Sequence, residues 1–223
     1  MKSVRYYGNG ELRLVDAPEP KCLRPTDVKI KVAYCGVCGS DLHLKRAEFD
    51  FLAADPEGLP MGHEATGTIV ELGSGAVTKG LKVGDRVTFY FNEHCGSCYY
   101  CRNGQEQFCD HKTVVAGAMA EYIVVGEQAV YKLPDSVSFQ KGALVEPISV
   151  CLHGIDLCRI RPGNTVAISG GAMGMLLAQL ALRSGATRLT VFEPIPAKRE
   201  ILRKLGVSHT VDPCLLYTSP SPR

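Results

Sequence analysis

Four cysteines in the middle of the chain have the spacing of a metal site. They are Cys95, Cys98, Cys101 and Cys109, in the pattern C-x2-C-x2-C-x7-C. Short gaps let neighbouring thiolates converge on one ion, and four thiolates close a tetrahedron that leaves no position for water or substrate. The pattern therefore predicts a structural zinc site. An iron–sulfur cluster is the alternative, but the bacterial ferredoxin run ends in a three-residue gap followed by proline, and this one does not.

A second set of possible ligands comes from separate segments of the chain. Cys38, His63 and Glu64 supply a thiolate, an imidazole and a carboxylate, and Glu146 supplies another carboxylate. Such a mixed set is typical of a catalytic zinc site, in which three protein ligands leave the fourth position exchangeable. Each residue alone could simply be packed in the core. Cys35 also forms C-x2-C with Cys38, which fits a redox pair or half of a zinc site, but we interpret Cys35 as a small core residue.

The segment 166–174 joins an apolar strand to a helix through a glycine-rich loop. In the dinucleotide pattern G-x-G-x-x-G, serine stands first and glycines stand second and third. The candidate loop residues are Ser169, Gly171, Ala172, Met173 and Gly174. Glu193 ends the next strand, 19 residues after Gly174, where a carboxylate accepts from ribose hydroxyls and repels a 2′-phosphate. The loop thus predicts a pyrophosphate site that prefers NAD to NADP; the alternative is a tight turn beside an exposed glutamate.

The elements that must position these residues fall into two regions. Residues 1–149 show short β-branched segments between Gly and Pro turns, notably 28–32, 65–72, 86–91 and 120–125. Residues 150–213 alternate strand and helix, with strands predicted at 165–168, 189–192 and 209–211 and helices at 173–183 and 196–205. A helix over 145–157 connects the regions. We expect a β-rich catalytic domain with a zinc lobe at 92–110, followed by part of a doubly wound parallel sheet.

Composition excludes several classes of function. The 223 residues carry a net charge of +2 without a basic block, and no apolar run approaches the ~20 residues that span a bilayer. We therefore expect neither nucleic-acid nor membrane binding. The N-terminal segment has no apolar signal region, so we expect a cytoplasmic protein. In that reducing compartment, ten cysteines favour metal binding over disulfides.

The last ten residues, 214–223, interrupt the strand–helix alternation. Their sequence, CLLYTSPSPR, equals the translation of the end of a transposon-based sequencing adapter. We expect this segment to be foreign to the gene, and the natural protein to continue differently after residue 213. A native Pro/Ser-rich tail is the alternative.

The motifs C-G-S-D-L-H, G-H-E, the four-cysteine lobe, V-E-P and the glycine loop followed by F-E-P occur here in one order. Together they resemble the zinc-dependent medium-chain alcohol dehydrogenases, in the branch of sorbitol, butanediol and threonine dehydrogenases. The resemblance covers residues 1–213. It implies a GroES-like β-barrel that carries catalysis, followed by a Rossmann domain, here partial.

The resemblance implies a role for each candidate residue. Cys38, His63 and Glu64 would bind the catalytic zinc, with Glu146 bound to it directly or through water, and the four lobe cysteines would bind a structural zinc. Ser40 and His43 would form a proton relay. The whole protein would then hold two zinc ions and NAD in each subunit and form a homo-oligomer, a dimer or tetramer.

The implied reaction is hydride transfer from a secondary alcohol, a polyol or vicinal diol, to NAD. The alternatives are an L-threonine 3-dehydrogenase and a non-catalytic relative stabilised by zinc. Threonine dehydrogenases are expected to carry histidine where this chain has Asn92, which disfavours the first alternative. A quinone-reductase-like enzyme uses no zinc, so the lobe and G-H-E disfavour that reading.

Overall fold

The computed structural model describes residues 1–48, 56–76 and 78–215. They form two compact units, one of residues 1–146 and one that begins at Pro147. Most of the segment 214–223 lies outside the described residues. Its first two residues belong to a 3₁₀ turn, Pro213–Leu215.

The first unit is made mainly of short strands, as the sequence predicts, and also contains short helices that the sequence analysis did not predict. Its strands are β1 (Lys2–Tyr6), β2 (Leu12–Asp16), β3 (Asp27–Cys35), β4 (Leu59–Pro60), β5 (Ala65–Leu72), β6 (Arg86–Phe89), β7 (Asn92–Glu93), β8 (Thr113–Val114), β9 (Tyr122–Gly126) and β10 (Val130–Lys132). Its helices are α1 (Gly39–Lys45), α2 (Tyr99–Arg102) and α3 (Phe139–Gly142), with 3₁₀ turns at Glu106–Phe108 and Glu127–Ala129.

An antiparallel sheet in the order β10-β6-β5-β3-β9 forms the centre of this unit. β-Branched and aromatic side chains such as Val28, Ile30, Ile69, Val87 and Phe89 are buried on it, because such residues pack well on a pleated surface. Smaller sheets, β2-β1-β4 and β7-β8, complete the unit. The predicted strand at 86–91 ends two residues early, and that at 120–125 begins two residues late.

One strand pairing brings distant ligand segments together. β3 and β5 are antiparallel, and Cys35 at the end of β3 pairs with Ala65 at the start of β5. The loop after β3 contains Cys38, and the residues just before β5 are His63 and Glu64. The sheet therefore places these segments side by side, although more than 20 residues separate them in sequence.

The second unit alternates strand and helix, which confirms the predicted start of a doubly wound sheet. Its elements are α4 (Val145–Cys158, which begins in the first unit), β11 (Thr165–Ser169), α5 (Gly171–Arg183), β12 (Arg188–Phe192), α6 (Pro196–Lys204) and β13 (His209–Val211). The strands are parallel in the order β11-β12-β13. Leu189, Val191 and Leu202 are fully buried and fix the helices on the sheet. Among the described residues, no helix has the length and apolar character needed to cross a membrane.

Candidate metal and cofactor sites

Helix α1 and its N-cap carry four residues of the C-G-S-D-L-H motif that bear on the site. Cys38 is its N-cap, and the buried Asp41 carboxylate accepts a 2.8 Å hydrogen bond from the Cys38 N–H, which fixes the start of the helix. Ser40 and His43 are three residues apart and therefore share a face of α1. His43 Nδ1 pairs with the Glu48 carboxylate. The Cys38 backbone and the two predicted relay residues are therefore held by the same helix.

The structure brings the predicted catalytic ligands together. One ligand atom from each of Cys38, His63 and Glu64 lies within 4.8 Å of the other two. A sulfur, a nitrogen and an oxygen at this separation suit Zn²⁺, which binds all three kinds of ligand and adopts tetrahedral geometry. The residues present therefore fit a catalytic zinc.

Glu146 lies beside this cluster, in the first turn of α4. Its carboxyl is buried, and burial raises its pKa; the charge of His63 acts to lower that pKa, and the charge of Glu64 to raise it. These interactions place Glu146 within electrostatic reach of two candidate ligands. The ring centroids of Phe91 and His63 lie 5.4 Å apart, and the two rings are tilted by 49°.

Cys35 stays outside the ligand cluster. It packs against the core of the first unit and donates a hydrogen bond to the Gly36 carbonyl at 3.4 Å. Burial, followed by the charge of Asp41, raises the pKa of the Cys35 thiol to about 12. Cys35 belongs to neither ligand cluster found among the described residues, so we interpret it as a core residue.

The four lobe cysteines form the other cluster found among the described residues. Their sulfur atoms all lie within 4.8 Å of one another, held by β7, α2 and the loops between β7 and β8. The amide and hydroxyl of Ser97 lower the pKa of Cys95 to about 5, whereas desolvation raises that of Cys101 to about 12. Four converging sulfurs fit a closed zinc site.

The glycine-rich loop joins β11 to α5, as predicted. Gly170 is the N-cap of α5, and Gly171 has φ +81°, a conformation that favours glycine. A Cβ at Gly174 would lie 2.3 Å from the Ser169 carbonyl oxygen, so a side chain there would prevent α5 from packing this closely on the strand. The amides at the start of α5 provide a site that favours anions.

Glu193 follows β12 and is only 1% exposed. The alternative in which it is an exposed residue is therefore wrong. Its carboxylate accepts hydrogen bonds from the Gly171 N–H at 2.7 Å and the Ile195 N–H at 2.9 Å. Burial acts to raise its pKa, but these bonds outweigh burial and lower it. The carboxylate therefore stays charged beside the loop.

Sequence reasoning missed three of these contacts. It did not anticipate that Asp41 holds Cys38, that Glu48 pairs with His43, or that Glu193 binds the loop itself. The first had a local signal, because C-x-x-D has the spacing of a capping box. The others depend on turns and register that the sequence does not specify.

An antiparallel unit with two ligand clusters, followed by parallel strands and a glycine loop, is the architecture of a zinc-dependent, dinucleotide-binding dehydrogenase. Residues 24–135 match the family model of the alcohol dehydrogenase GroES-like domain. The chain belongs to the zinc-containing medium-chain alcohol dehydrogenase family.

Individual relatives share most of this chain. It is 35% identical to the (R,R)-butanediol dehydrogenase of Bacillus subtilis over 96% of the chain and 63% of that protein. It is 34% identical to the "Probable D-xylulose reductase A" of Aspergillus fumigatus, over 92% of the chain and 59% of that protein. The crystal structure of a zinc-binding dehydrogenase from Sinorhizobium meliloti, bound to NADP, resembles this chain with a TM-score of 0.82 and 37% sequence identity. The match covers 96% of this chain and 62% of that one. The chain thus spans about 60% of the length of these relatives.

Proposed function

We propose that the whole protein oxidises a secondary alcohol, a polyol or vicinal diol, to a ketone with NAD. The observation that carries the proposal is the convergence of Cys38, His63 and Glu64 within 4.8 Å. The names of two relatives, a butanediol dehydrogenase and a xylulose reductase, support this substrate class.

Each candidate site residue would have its own role in the proposed reaction. Cys38, His63 and Glu64 would hold zinc, which when bound polarises an alcohol oxygen and lowers its pKa so that hydride can leave to NAD. Ser40 would hydrogen-bond the substrate hydroxyl, since a serine hydroxyl both donates and accepts. His43, on the same face of α1, would take the proton, because an imidazole nitrogen can act as a general base. Glu146, which lies beside the cluster, would influence the charge of the ligands His63 and Glu64.

Threonine is a poor fit as the substrate. The buried Asn92 side chain donates to the Tyr90 hydroxyl at 3.3 Å, so this position offers a neutral amide that already has a partner. A non-catalytic relative stabilised by zinc would need only the lobe, and the second ligand cluster argues against it.

The remaining properties follow from the same proposal. We expect Glu193 to make the protein prefer NAD to NADP. The S. meliloti relative is bound to NADP, so titration with both dinucleotides tests this preference. The two ligand clusters use five of the ten cysteines, and thiolate ligands suit a reducing, cytoplasmic location. We expect a homo-oligomer with small alcohols as its only ligands besides zinc and dinucleotide.

Turnover by the whole protein tests the proposal. NADH formation should be measured with butane-2,3-diol, sorbitol, xylitol and threonine. A Cys38→Ser variant should lose turnover roughly a thousandfold, because several kcal/mol of transition-state stabilisation depend on the metal. Cys35→Ser is the matched control and should retain it. Equal loss in both variants, or oxidation of threonine alone, would contradict the proposal.

A further inference from the structure

The register of the parallel sheet places two loops next to each other. Ser169 at the end of β11 pairs with Phe192 at the end of β12. The residues that follow each strand therefore leave the sheet at the same level. The Gly170 N–H also donates to the Phe192 carbonyl at 2.7 Å, which continues the pairing into the turn.

The Glu193 carboxylate fills the space between these loops. One oxygen accepts from the Gly171 N–H and the other from the Ile195 N–H, so a single side chain joins the β11–α5 turn to the β12–α6 turn. A Cβ at Gly170 would lie 2.5 Å from the first of these oxygens. The absence of a side chain at Gly170 is thus what lets the carboxylate reach the amide of the next residue.

The main chain of Glu193 is held in place as well. Its N–H donates to the Val211 carbonyl on β13 at 2.9 Å, and its carbonyl accepts from the Arg199 guanidinium on α6 at 2.7 Å. Arg199 also forms an ion pair with Asp212 at 3.1 Å. The backbone that carries the carboxylate is therefore held in place by β13 and α6.

We propose that Glu193 is a positioning residue that builds the glycine turn before any dinucleotide arrives. The dinucleotide pattern uses its first glycine for the tight turn, and here that place is Ser169, an ordinary strand residue. The turn is instead made by Gly170 and Gly171 and held by the carboxylate. That the ligand is a dinucleotide rests on the proposed function. The contact between the two loops is independent of it.

Ribose recognition by the same side chain requires the carboxylate, which is 1% exposed here, to become accessible when the dinucleotide binds. A carboxylate offers about four acceptor positions, and the two amides use two of them. A substitution at Glu193 should then have two separable effects: a looser turn in the free chain and weaker binding of the dinucleotide. A residue that acts only on ribose would show the second effect alone.

Amide hydrogen exchange in the whole protein, free of dinucleotide, tests the proposal. Glu193→Ala removes both acceptors and should speed exchange at the Gly171 and Ile195 amides roughly ten- to a hundredfold. Glu193→Gln keeps the shape but can accept from only one of them, so one amide should be affected. Glu200→Gln, at an exposed glutamate of α6, is the matched control and should change neither.

Each result has a defined meaning. Unchanged exchange at both amides in Glu193→Ala would overturn the proposal. Faster exchange throughout β11 and β12 would also overturn it, because the carboxylate would then stabilise the sheet rather than the turn. Failure of the whole protein to bind dinucleotide, with the local exchange effect present, would refute the proposed function and leave the positioning role intact.

Discussion

At the scale of single residues, the two ligand clusters cannot share one ion. The lobe sulfurs form one group, and Cys38, His63 and Glu64 form another. We expect two zinc ions for each 223-residue chain, measured by inductively coupled plasma mass spectrometry. Cys101→Ser and Cys38→Ser should each lower the content by about one ion, because thiolates are strong zinc ligands.

Cys158→Ser is the control for these variants, since Cys158 is exposed and outside both clusters. It should keep both ions. A content of one zinc in the unaltered chain would show that one cluster has been misinterpreted. Iron in place of zinc would contradict the structural assignment of the lobe.

The choice of dinucleotide also belongs to a single residue. In the whole protein, Glu193→Ala should weaken NAD binding by about 1.5–3 kcal/mol, the worth of a hydrogen bond to a charged group. It should also reduce discrimination against NADP, because the negative charge is lost. Dissociation constants for both dinucleotides, from titration of the unaltered and altered proteins, measure this. A preference of the unaltered protein for NADP would contradict our interpretation of F-E-P.

The convergence of the candidate ligands could be predicted from sequence, and the contacts that support them could not. Cysteine and histidine at metal-site spacings predict zinc because few other side chains bind it. The contact of Glu193 with Gly171 could not be predicted, since it depends on the level at which β11 and β12 pair. The pairing of His43 with Glu48 likewise depends on the turn that ends α1.

At the scale of elements, a charged network connects β3 with the zinc lobe. Asp27 begins β3, and its nearly buried carboxylate accepts from the Leu23 and Arg24 amides and from Arg24 Nε. Arg24 also donates twice to Glu93 on β7, at 2.7 and 3.1 Å. Glu93 accepts from the Gly126 N–H in turn. The network therefore fixes the strand that leads into the lobe.

Asp27→Asn should lower the free energy of unfolding at neutral pH by about 1.5–3 kcal/mol. Desolvation acts to raise the pKa of Asp27, but the Arg24 and Leu23 hydrogen bonds outweigh it and lower the pKa in the folded state. The stabilisation is thus complete above the unfolded pKa of about 3.9 and is lost as the pH falls through the lowered value.

Urea unfolding of both chains at neutral and acidic pH measures this difference. The difference in free energy of unfolding between the unaltered chain and the Asp27→Asn variant should disappear at acidic pH. Asp16→Asn serves as the control, because the ion pair of Asp16 with Lys2 is largely exposed and should contribute little. A gap that stays constant with pH would show that the Asp27 charge is not responsible.

The sequence predicted the elements themselves well. β5 matches its predicted range, and α4 and α6 differ from theirs by one residue at the C-terminus, because periodicity and turn residues mark such segments clearly. Short strands such as β7 and β8, in the lobe, escaped detection. A strand of only two residues shows no alternating pattern, so it can be recognised from its pairing in the structure but not from the propensity of its residues.

At the scale of the whole molecule, the parallel sheet of the described residues is half of a doubly wound sheet. The order β13-β12-β11 corresponds to the 3-2-1 half of the usual 3-2-1-4-5-6 arrangement. Dinucleotides bind where that order reverses, beside β11, which has no partner strand on that side among the described residues. Helix α4 also exposes large apolar side chains: Val150 at 51%, Leu152 at 47% and Leu157 at 70%.

We therefore expect the 223-residue chain to bind zinc but not to turn over. An unpaired strand edge and exposed apolar side chains on α4 lower the stability of the second unit and favour aggregation. Limited proteolysis should cut residues 150–215 before it cuts the larger core of the first unit. Incubation with NAD and butane-2,3-diol or sorbitol should give no NADH above background. Turnover at an ordinary dehydrogenase rate, on the order of 1 s⁻¹ or faster, would show that the three strands suffice to bind the dinucleotide.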